Sequence, residues 1–410
     1  MRICIVADNA SARFGGESVL PLHYFRQFRR RGVEVWLVAH DRCRAELESL
    51  LPEERDRMRF VPDTAVHRML FRLSGLLPRR VAESTAGLAM LMYTQWTERD
   101  VVRQLIREHG VDVLHQPAPV APSYPSMFFG LGQPLIIGPM NGGMDFPPAF
   151  RSAESLASRI FVGLARSFTS MANRLLPGKR NAAVLLVANP RTAAALPAGC
   201  RGRVVELVEN GVDLSTWDVS CQPEQRVPNC FIFLGRLVDW KALPILFEAM
   251  THVPAATLDV IGDGPMRAAW TSEARRLGVG DRVRFLGWQS QQECARALTS
   301  ATALVLPSLY ECGGAVVLEA MAMARPVIAT DWGGPADYLD AATGFLISPA
   351  SRDAMIAGFA EAMQRLMDNP ELATRMGVAA RQKVLEKFTW QMKIDRMLEI
   401  YTSVLKSFAQ

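Results

Sequence analysis

The sequence lacks several features that would place it in a common class of protein. No stretch of about 18 residues is both apolar and free of charge, so we expect no membrane-spanning helix. No charged region followed by an apolar core precedes the first predicted strand, so we expect no secretory signal. The seven cysteines are scattered without a C-x-x-C pair, which argues against a disulfide framework or zinc site and favours the cytoplasm.

Two common phosphate-binding motifs are also absent. The first predicted strand–helix turn has no G-x-G-x-x-G, which weakens a dinucleotide site. No strict D-x-D triplet occurs, so we predict neither a metal clamp on a diphosphate nor any other cofactor. Side-chain cations would have to neutralise a diphosphate instead.

Acidic residues are scarce in one part of the chain. No Asp or Glu lies between Glu154 and Glu206, and residues 1–200 have a net charge of +8 whereas residues 201–410 have −3. We therefore expect the first half to meet an anionic partner, with a membrane surface as the candidate and no nucleic acid. The basic, apolar segments 69–80 and 157–176 could touch such a surface at the inner face of the cytoplasmic membrane.

What the sequence does contain is a double alternation of strands and helices. Apolar strands are predicted from residue 1 to about 189, and a second series begins at residue 230. Alternation of this kind predicts parallel, doubly wound α/β sheets. A chain of 410 residues is long enough for two domains, which we place at 1–212 and 213–389.

Two glutamates eight residues apart give the sharpest functional signal. Glu311 precedes Gly313 and Gly314, and Glu319 lies in the apolar helix that follows. A helix start opened by glycine can bind a diphosphate, and carboxylates on either side can bind hydroxyl groups. Arg236 and Lys241 follow a predicted strand and could neutralise a diphosphate leaving group. The pattern therefore predicts a nucleotide-sugar site.

Weaker candidates lie in the first half of the chain. Gly15 and Gly16 occupy the first strand–helix turn, where backbone N–H groups could approach a phosphate. His115 ends a predicted strand, and a functional role and a structural one are about equally plausible for it. Asn141 lies in a Gly-rich loop and could bind sugar or acceptor hydroxyls, although a simple tight turn is the alternative.

These motifs together resemble the retaining glycosyltransferases of family 4 (glycosyl transferases group 1), over nearly the whole chain. The resemblance is strongest in FLGRLVDWK (233–241) and in residues 307–334. It implies a GT-B fold, in which two Rossmann-like domains face each other across a cleft. It also implies that the terminal helix, 390–410, packs back on the first domain.

The resemblance implies a role for each residue of the motif. Glu319 would hold the ribose and Glu311 the transferred sugar. Arg236 and Lys241 would stabilise the departing diphosphate, and His115 would be an active-site histidine. Backbone groups would complete the donor site. They belong to Gly16 in the first domain and, in the second, to Gly313, Gly314, Ala315 and Val316.

The resemblance also implies an activity, metal-independent transfer of a sugar with retention of configuration. The donor would be a UDP- or GDP-sugar, and the acceptor a glycan or lipid-linked hydroxyl in bacterial polysaccharide, exopolysaccharide or glycolipid biosynthesis. The sequence leaves two other enzymes open, a soluble small-molecule glycosyltransferase and a GT-B nucleotide-sugar epimerase. A sugar-nucleotide sensor without activity is disfavoured by the intact motif.

Overall fold

A computed structural model describes residues 1–13, 16–76, 83–153, 169–218 and 227–408 of the chain. Two compact units are present. The first comprises Met1–Gly143, Glu154–Glu209 and Lys393–Gln410, and the second comprises Met144–Ala153 and Asn210–Met392. Each unit is built on its own parallel sheet.

The first unit contains a parallel sheet that, within the described residues, has seven strands in the order β3-β2-β1-β4-β5-β6-β7. The strands are β1 (Arg2–Val6), β2 (Glu34–His40), β3 (Met58–Val61), β4 (Val113–Gln116), β5 (Leu135–Met140), β6 (Val184–Val187) and β7 (Arg203–Glu206). The helices are α1 (Val19–Arg30), α2 (Arg44–Leu50), α3 (Ala65–Gly75), α4 (Leu88–His109) and α5 (Pro190–Ala194), and residues 169–175 are also helical.

The second unit contains a parallel sheet with six described strands in the order β10-β9-β8-β11-β12-β13. They are β8 (Cys230–Leu234), β9 (Thr257–Ile261), β10 (Val283–Gly287), β11 (Ala303–Leu306), β12 (Val327–Thr330) and β13 (Gly344–Ile347). The helices are α6 (Leu243–Thr251), α7 (Arg267–Arg276), α8 (Gln291–Ser300), α9 (Ala315–Ala322), α10 (Gly334–Tyr338), α11 (Arg352–Asp368), α12 (Pro370–Lys387) and α13 (Trp390–Phe408), whose last residues belong to the first unit.

Burial explains why these segments form strands. All four residues of β4, β6, β11 and β12 are buried, so both faces of each sheet are covered. Accordingly β6 and β11 are apolar throughout rather than alternating. No helix in the described parts of the chain is long and apolar enough to cross a bilayer. The predicted pair of doubly wound α/β domains is confirmed.

One segment lies in a different unit from the one predicted. The predicted boundaries at 213 and 390 stand three residues from the observed breaks at 210 and 393, but residues 144–153 belong to the second unit. Local contacts explain this assignment. The ring of Phe146 lies 5.4 Å from that of Tyr310, and the Trp332 indole N–H donates to the Asp145 carbonyl at 2.8 Å.

Candidate functional site

In each sheet the strand order reverses at one point. In the second sheet β8 lies beside β11, and the chain continues outward from β8 on one side and from β11 on the other. Loops after two such strands diverge and leave a crevice at the carboxyl edge of the sheet, where ligands of open α/β sheets bind. The loops after β8 and β11 contain residues 235–241 and 307–314, which include most of the predicted donor residues.

An ion pair joins these two loops. The Lys241 ammonium contacts the Glu311 carboxylate directly, and both side chains are mostly buried, at 12% and 16% exposure. The backbone holds them in register, because Leu309 N–H donates to the Trp240 carbonyl at 2.9 Å. Arg236 lies exposed on the same loop as Lys241. The structure therefore brings one cation and one carboxylate together at the crevice, and Arg236 belongs to the loop that supplies the cation.

Helix α9 begins at the same place. Its preceding residue, Gly314, has φ of +72°, a left-handed conformation that favours glycine, and a Cβ there would lie 3.1 Å from Glu311 Cγ. The Glu311 carbonyl accepts a hydrogen bond from Gly334 N–H at 2.8 Å, which fixes the loop. The N–H groups of the first helical turn, including Ala315 and Val316, have no partner within the helix and can bind an anion.

Glu319 is the second carboxylate of the motif and lies in the second turn of α9. Burial raises its pKa to about 7. The thiol of Cys294 on α8 is close enough to feel its charge, since burial and then Glu319 raise the pKa of Cys294 to about 11. A carboxyl group with this pKa is poised to change its charge near neutral pH. We call Arg236, Lys241, Glu311, Glu319 and the start of α9 the strand-end cluster.

The first sheet has an equivalent reversal between β1 and β4. A cavity of about 340 Å³ lies there, lined by residues that include Asp8, Asn9, Glu17 and Tyr124. Burial raises the pKa of Asp8 above its ordinary value, and Glu17 accepts a hydrogen bond from Val120 N–H at 2.8 Å. The sequence patterns did not predict this first-domain cavity. The only signal was the polar pair Asp8-Asn9 directly after the first strand.

The glycines of the first turn are only partly placed by the structure. Gly16 is exposed at the start of a short turn before α1, and its φ of +57° lies in the region that favours glycine. Gly15 lies outside the described residues. The phosphate contact of both glycines stays a prediction.

Asn141 does not occupy an open loop. It is buried, its side-chain amide donates to the Glu209 carboxylate at 2.8 Å, and its amide oxygen accepts from the Thr192 hydroxyl at 3.4 Å. These bonds hold the segment after β5 against α5. We therefore correct the predicted acceptor contact of Asn141, because its side chain is buried and hydrogen-bonded to Glu209 and Thr192.

His115 is not placed where it could touch a substrate. It has 0% exposure, its Nε2 donates to the Gly138 carbonyl at 2.7 Å, and its Nδ1 accepts from the Tyr401 hydroxyl at 2.8 Å. A carbonyl can only accept, so the proton must lie on Nε2. Burial lowers the His115 pKa to about 4, so the ring is neutral. We therefore correct the predicted catalytic role: in this structure His115 joins β4 to α13.

This structural role predicts a loss of stability on substitution. His115→Ala leaves a void and an unpaired Tyr401 hydroxyl, so the free energy of unfolding should fall by about 3 kcal/mol. Tyr401→Phe removes only the hydroxyl and should cost about 1–2 kcal/mol. Urea denaturation measures both. A His115→Ala protein of native stability that has lost all sugar transfer would contradict this assignment.

One histidine–carboxylate group in the described residues has the composition of a metal site. Ligand atoms of His40, Asp63 and His67 lie within 4.8 Å of one another. However, His40 Nδ1 accepts hydrogen bonds from the Arg42 backbone N–H at 3.2 Å and from its Nε at 3.1 Å. The proton of the neutral ring must therefore lie on Nε2, so neither nitrogen offers a metal a free lone pair. The group does not fit a metal ion.

Comparison with known proteins agrees with the geometry of the second unit. Residues 222–383 match the family model described as Glycosyl transferases group 1. The glycogen synthase of Mycobacterium tuberculosis (strain ATCC 25618 / H37Rv) is 31% identical over 212 residues, which are 50% of this chain and 50% of that protein. The chain thus spans about half the length of the curated relatives it matches.

Solved structures show that the fold extends over the whole chain. A glycosyltransferase from Rickettsia africae ESF-5 matches with a TM-score of 0.70 at 15% identity, covering 99% of this chain and 98% of that one. Anabaena Alr3699/HepE, solved in complex with UDP, matches with a TM-score of 0.64 at 16% identity, covering 98% and 100%. The fold is therefore GT-B, as predicted.

Proposed function

We propose that the protein is a retaining glycosyltransferase that moves a sugar from a nucleotide-diphosphate sugar to a hydroxyl group. The observation that carries the proposal is the Lys241–Glu311 ion pair, which joins the loops after β8 and β11 in front of the start of α9. Arg236 lies on the first of these loops and Glu319 in the second turn of α9. Cations and helix-end N–H groups suit a diphosphate, and carboxylates suit hydroxyls. A nucleotide-sugar offers this combination.

The chemistry follows from the charges. The bond between the anomeric carbon and the diphosphate oxygen breaks, and negative charge accumulates on the leaving group. Arg236, Lys241 and the first N–H groups of α9 would stabilise that charge, which is the largest electrostatic term in such a reaction. Glu319 would accept hydrogen bonds from the ribose, and Glu311 from the transferred sugar. The acceptor hydroxyl oxygen would bond to the anomeric carbon from the face on which the diphosphate departs, and its proton would pass to the departing diphosphate oxygen. Attack from this face retains configuration and requires neither an enzymic nucleophile nor a metal.

The donor is proposed to be a UDP- or GDP-sugar. A UDP-sugar has the support of the structural neighbour HepE, which was solved with UDP and with UDP-glucose. We expect backbone groups beside the strand-end cluster to select the base, because base edges can be read by peptide N–H and C=O groups.

The acceptor is proposed to bind the first domain, in the cavity lined by Asp8, Asn9, Glu17 and Tyr124. These side chains offer carboxylate, amide and phenol groups, which are suited to a polyhydroxylated glycan. We propose a bacterial polysaccharide, exopolysaccharide or glycolipid intermediate as the acceptor. The net charge of +8 in residues 1–200 supports a cytoplasmic protein that works at the inner face of the membrane.

A panel of UDP-, GDP- and ADP-sugars tests the donor site by thermal shift. The true donor should stabilise the protein by about 2.7 kcal/mol at a hundredfold excess over its dissociation constant, and Glu319→Ala should remove that shift. A full shift that survives in Glu319→Ala would contradict the assigned ribose contact. Turnover of the donor without an acceptor would indicate an epimerase, and transfer to a soluble sugar alone a small-molecule glycosyltransferase.

A further inference from the structure

Lys179 is a buried lysine of the first domain. It is 1% exposed, and its ammonium donates to the Pro122 carbonyl at 2.8 Å and to the Ala121 carbonyl at 3.3 Å. Within the residues that the structure describes it pairs with no carboxylate, and burial lowers its pKa to about 7. An ammonium buried without an opposite charge costs free energy that an apolar side chain of similar length would not cost. The two carbonyls are therefore held at the expense of stability.

Both carbonyls belong to a segment without helix or strand. Residues 117–126, which we call the β4 loop, follow β4 directly. Two further contacts reach this loop from the chain just before the buried lysine. The Asn173 amide donates to the Ser123 carbonyl at 2.7 Å. Gly178 lies so close to the loop that a Cβ on it would be 2.2 Å from the Ser126 carbonyl oxygen. One short stretch of chain therefore holds the β4 loop at several points.

The β4 loop also forms a wall of the first-domain cavity. Ala118, Pro119 and Tyr124 of the loop line the cavity. Glu17, which lines it from the turn before α1, accepts a hydrogen bond from the Val120 N–H at 2.8 Å. The carbonyls that the buried ammonium holds lie between Pro119 and Tyr124 in the chain. A shift of either carbonyl would therefore move the wall of the cavity.

We propose that Lys179 is a positioning residue for the acceptor, because it holds the β4 loop in the shape in which the first-domain cavity binds a glycan. Lys179 does not touch the acceptor, since it is buried and donates only to the loop. The inference rests on the proposed function, because it takes the first-domain cavity as the acceptor site. The strand-end cluster lies in the second domain, so loss of the ammonium should weaken acceptor binding and leave donor binding unchanged.

Hydrogen exchange and kinetics of Lys179→Met test the two parts of the inference. The substitution keeps an unbranched stem and removes the ammonium. Amide exchange in the β4 loop should become at least tenfold faster, because the loop loses two hydrogen bonds. Transfer is measured with the donor found by thermal shift and a panel of octyl glycosides as acceptors. The Michaelis constant for the best glycoside should rise about tenfold, whereas kcat should change less than about twofold and the thermal shift by the donor should be unchanged.

Arg282→Met is the matched control. Arg282 likewise donates to three backbone carbonyls, at 2.9–3.0 Å, but it lies in the second domain and contacts no part of the β4 loop. Its substitution also removes a cation that bonds only to the backbone. It should leave both the exchange of the β4 loop and the Michaelis constant for the glycoside unchanged.

Asn173→Ala is the second variant, for the case that Lys179→Met does not fold. It removes one bond to the same loop and should raise loop exchange and the Michaelis constant for the glycoside about threefold each. Unchanged loop exchange in these variants would overturn the inference, and so would a lower kcat with an unchanged Michaelis constant for the glycoside. Native protein that binds no nucleotide-sugar and transfers to no glycoside would contradict the proposed function, and the acceptor role of Lys179 with it, whereas the exchange result would still show whether Lys179 holds the loop.

Discussion

Replacing Lys241 by alanine should lower the rate of sugar transfer by about 10²–10³-fold, with a smaller effect on the Michaelis constant for the donor. The reason is that the ammonium acts on charge that develops as the bond to the diphosphate breaks, so its contribution is greater in the transition state than in the bound substrate. The variant also leaves the mostly buried Glu311 carboxylate without the cation that it contacts. Steady-state kinetics with the donor identified by thermal shift measures both effects.

A matched ion pair in the same domain provides the control. Lys383 on α12 contacts Asp340 at 2.6 Å, so Lys383→Ala also removes a lysine–carboxylate pair but lies outside the strand-end cluster. It should change the transfer rate by less than about twofold, since exposed pairs contribute little. Lys241→Arg keeps the charge and should recover part of the rate. Equal rates in Lys241→Ala and Lys383→Ala would remove Lys241 from the mechanism.

The second domain was the more predictable half, because its functional residues follow the strands closely in sequence. The predicted strand that begins at residue 230 is β8, and the loop carrying Arg236 and Lys241 comes directly after it. Glu311, the glycines and α9 are likewise contiguous. Local sequence therefore predicted the elements and the loops that carry the candidate residues, and only the pairing of β8 with β11 was needed to bring the two loops together.

The first domain was less predictable because its decisive contacts join residues far apart in the chain. His115 and Tyr401 are 286 positions apart, and Asn141 and Glu209 are 68 apart. A histidine at the end of a predicted strand gives the same local sequence pattern whether its side chain faces solvent or a buried tyrosine. The first-domain cavity depends on β1 lying beside β4, and strand order is not visible in a pattern of apolar residues.

The pH dependence of donor binding should identify the role of Glu319. Its folded pKa of about 7 lies above the ordinary value of 4.5, because burial disfavours the carboxylate. The ionised form accepts hydrogen bonds from the ribose hydroxyls much more strongly than the neutral acid, because a charged acceptor makes the stronger bond. The affinity for the intact nucleotide-sugar should therefore rise about tenfold between pH 6 and pH 8, as the ionised fraction rises. The donor's diphosphate does not titrate in this range, so the change belongs to the protein.

Stability should depend on pH in the opposite direction, and this gives an independent check. Between pH 4.5 and 7 the folded state holds a proton on Glu319 that the unfolded chain has lost, so the free energy of unfolding falls as pH rises. Glu319→Gln has no proton to lose, so its free energy of unfolding should not fall with pH in this way. At pH 8 it should exceed that of native protein by about 1–3 kcal/mol, and the lower values apply if the residue is partly accessible to water. The same variant should bind the donor weakly and with no slope between pH 6 and 8. Isothermal titration calorimetry and urea denaturation at pH 5, 6, 7 and 8 measure the two effects. If the donor affinity of Glu319→Gln still rises with pH, the titrating group is another residue.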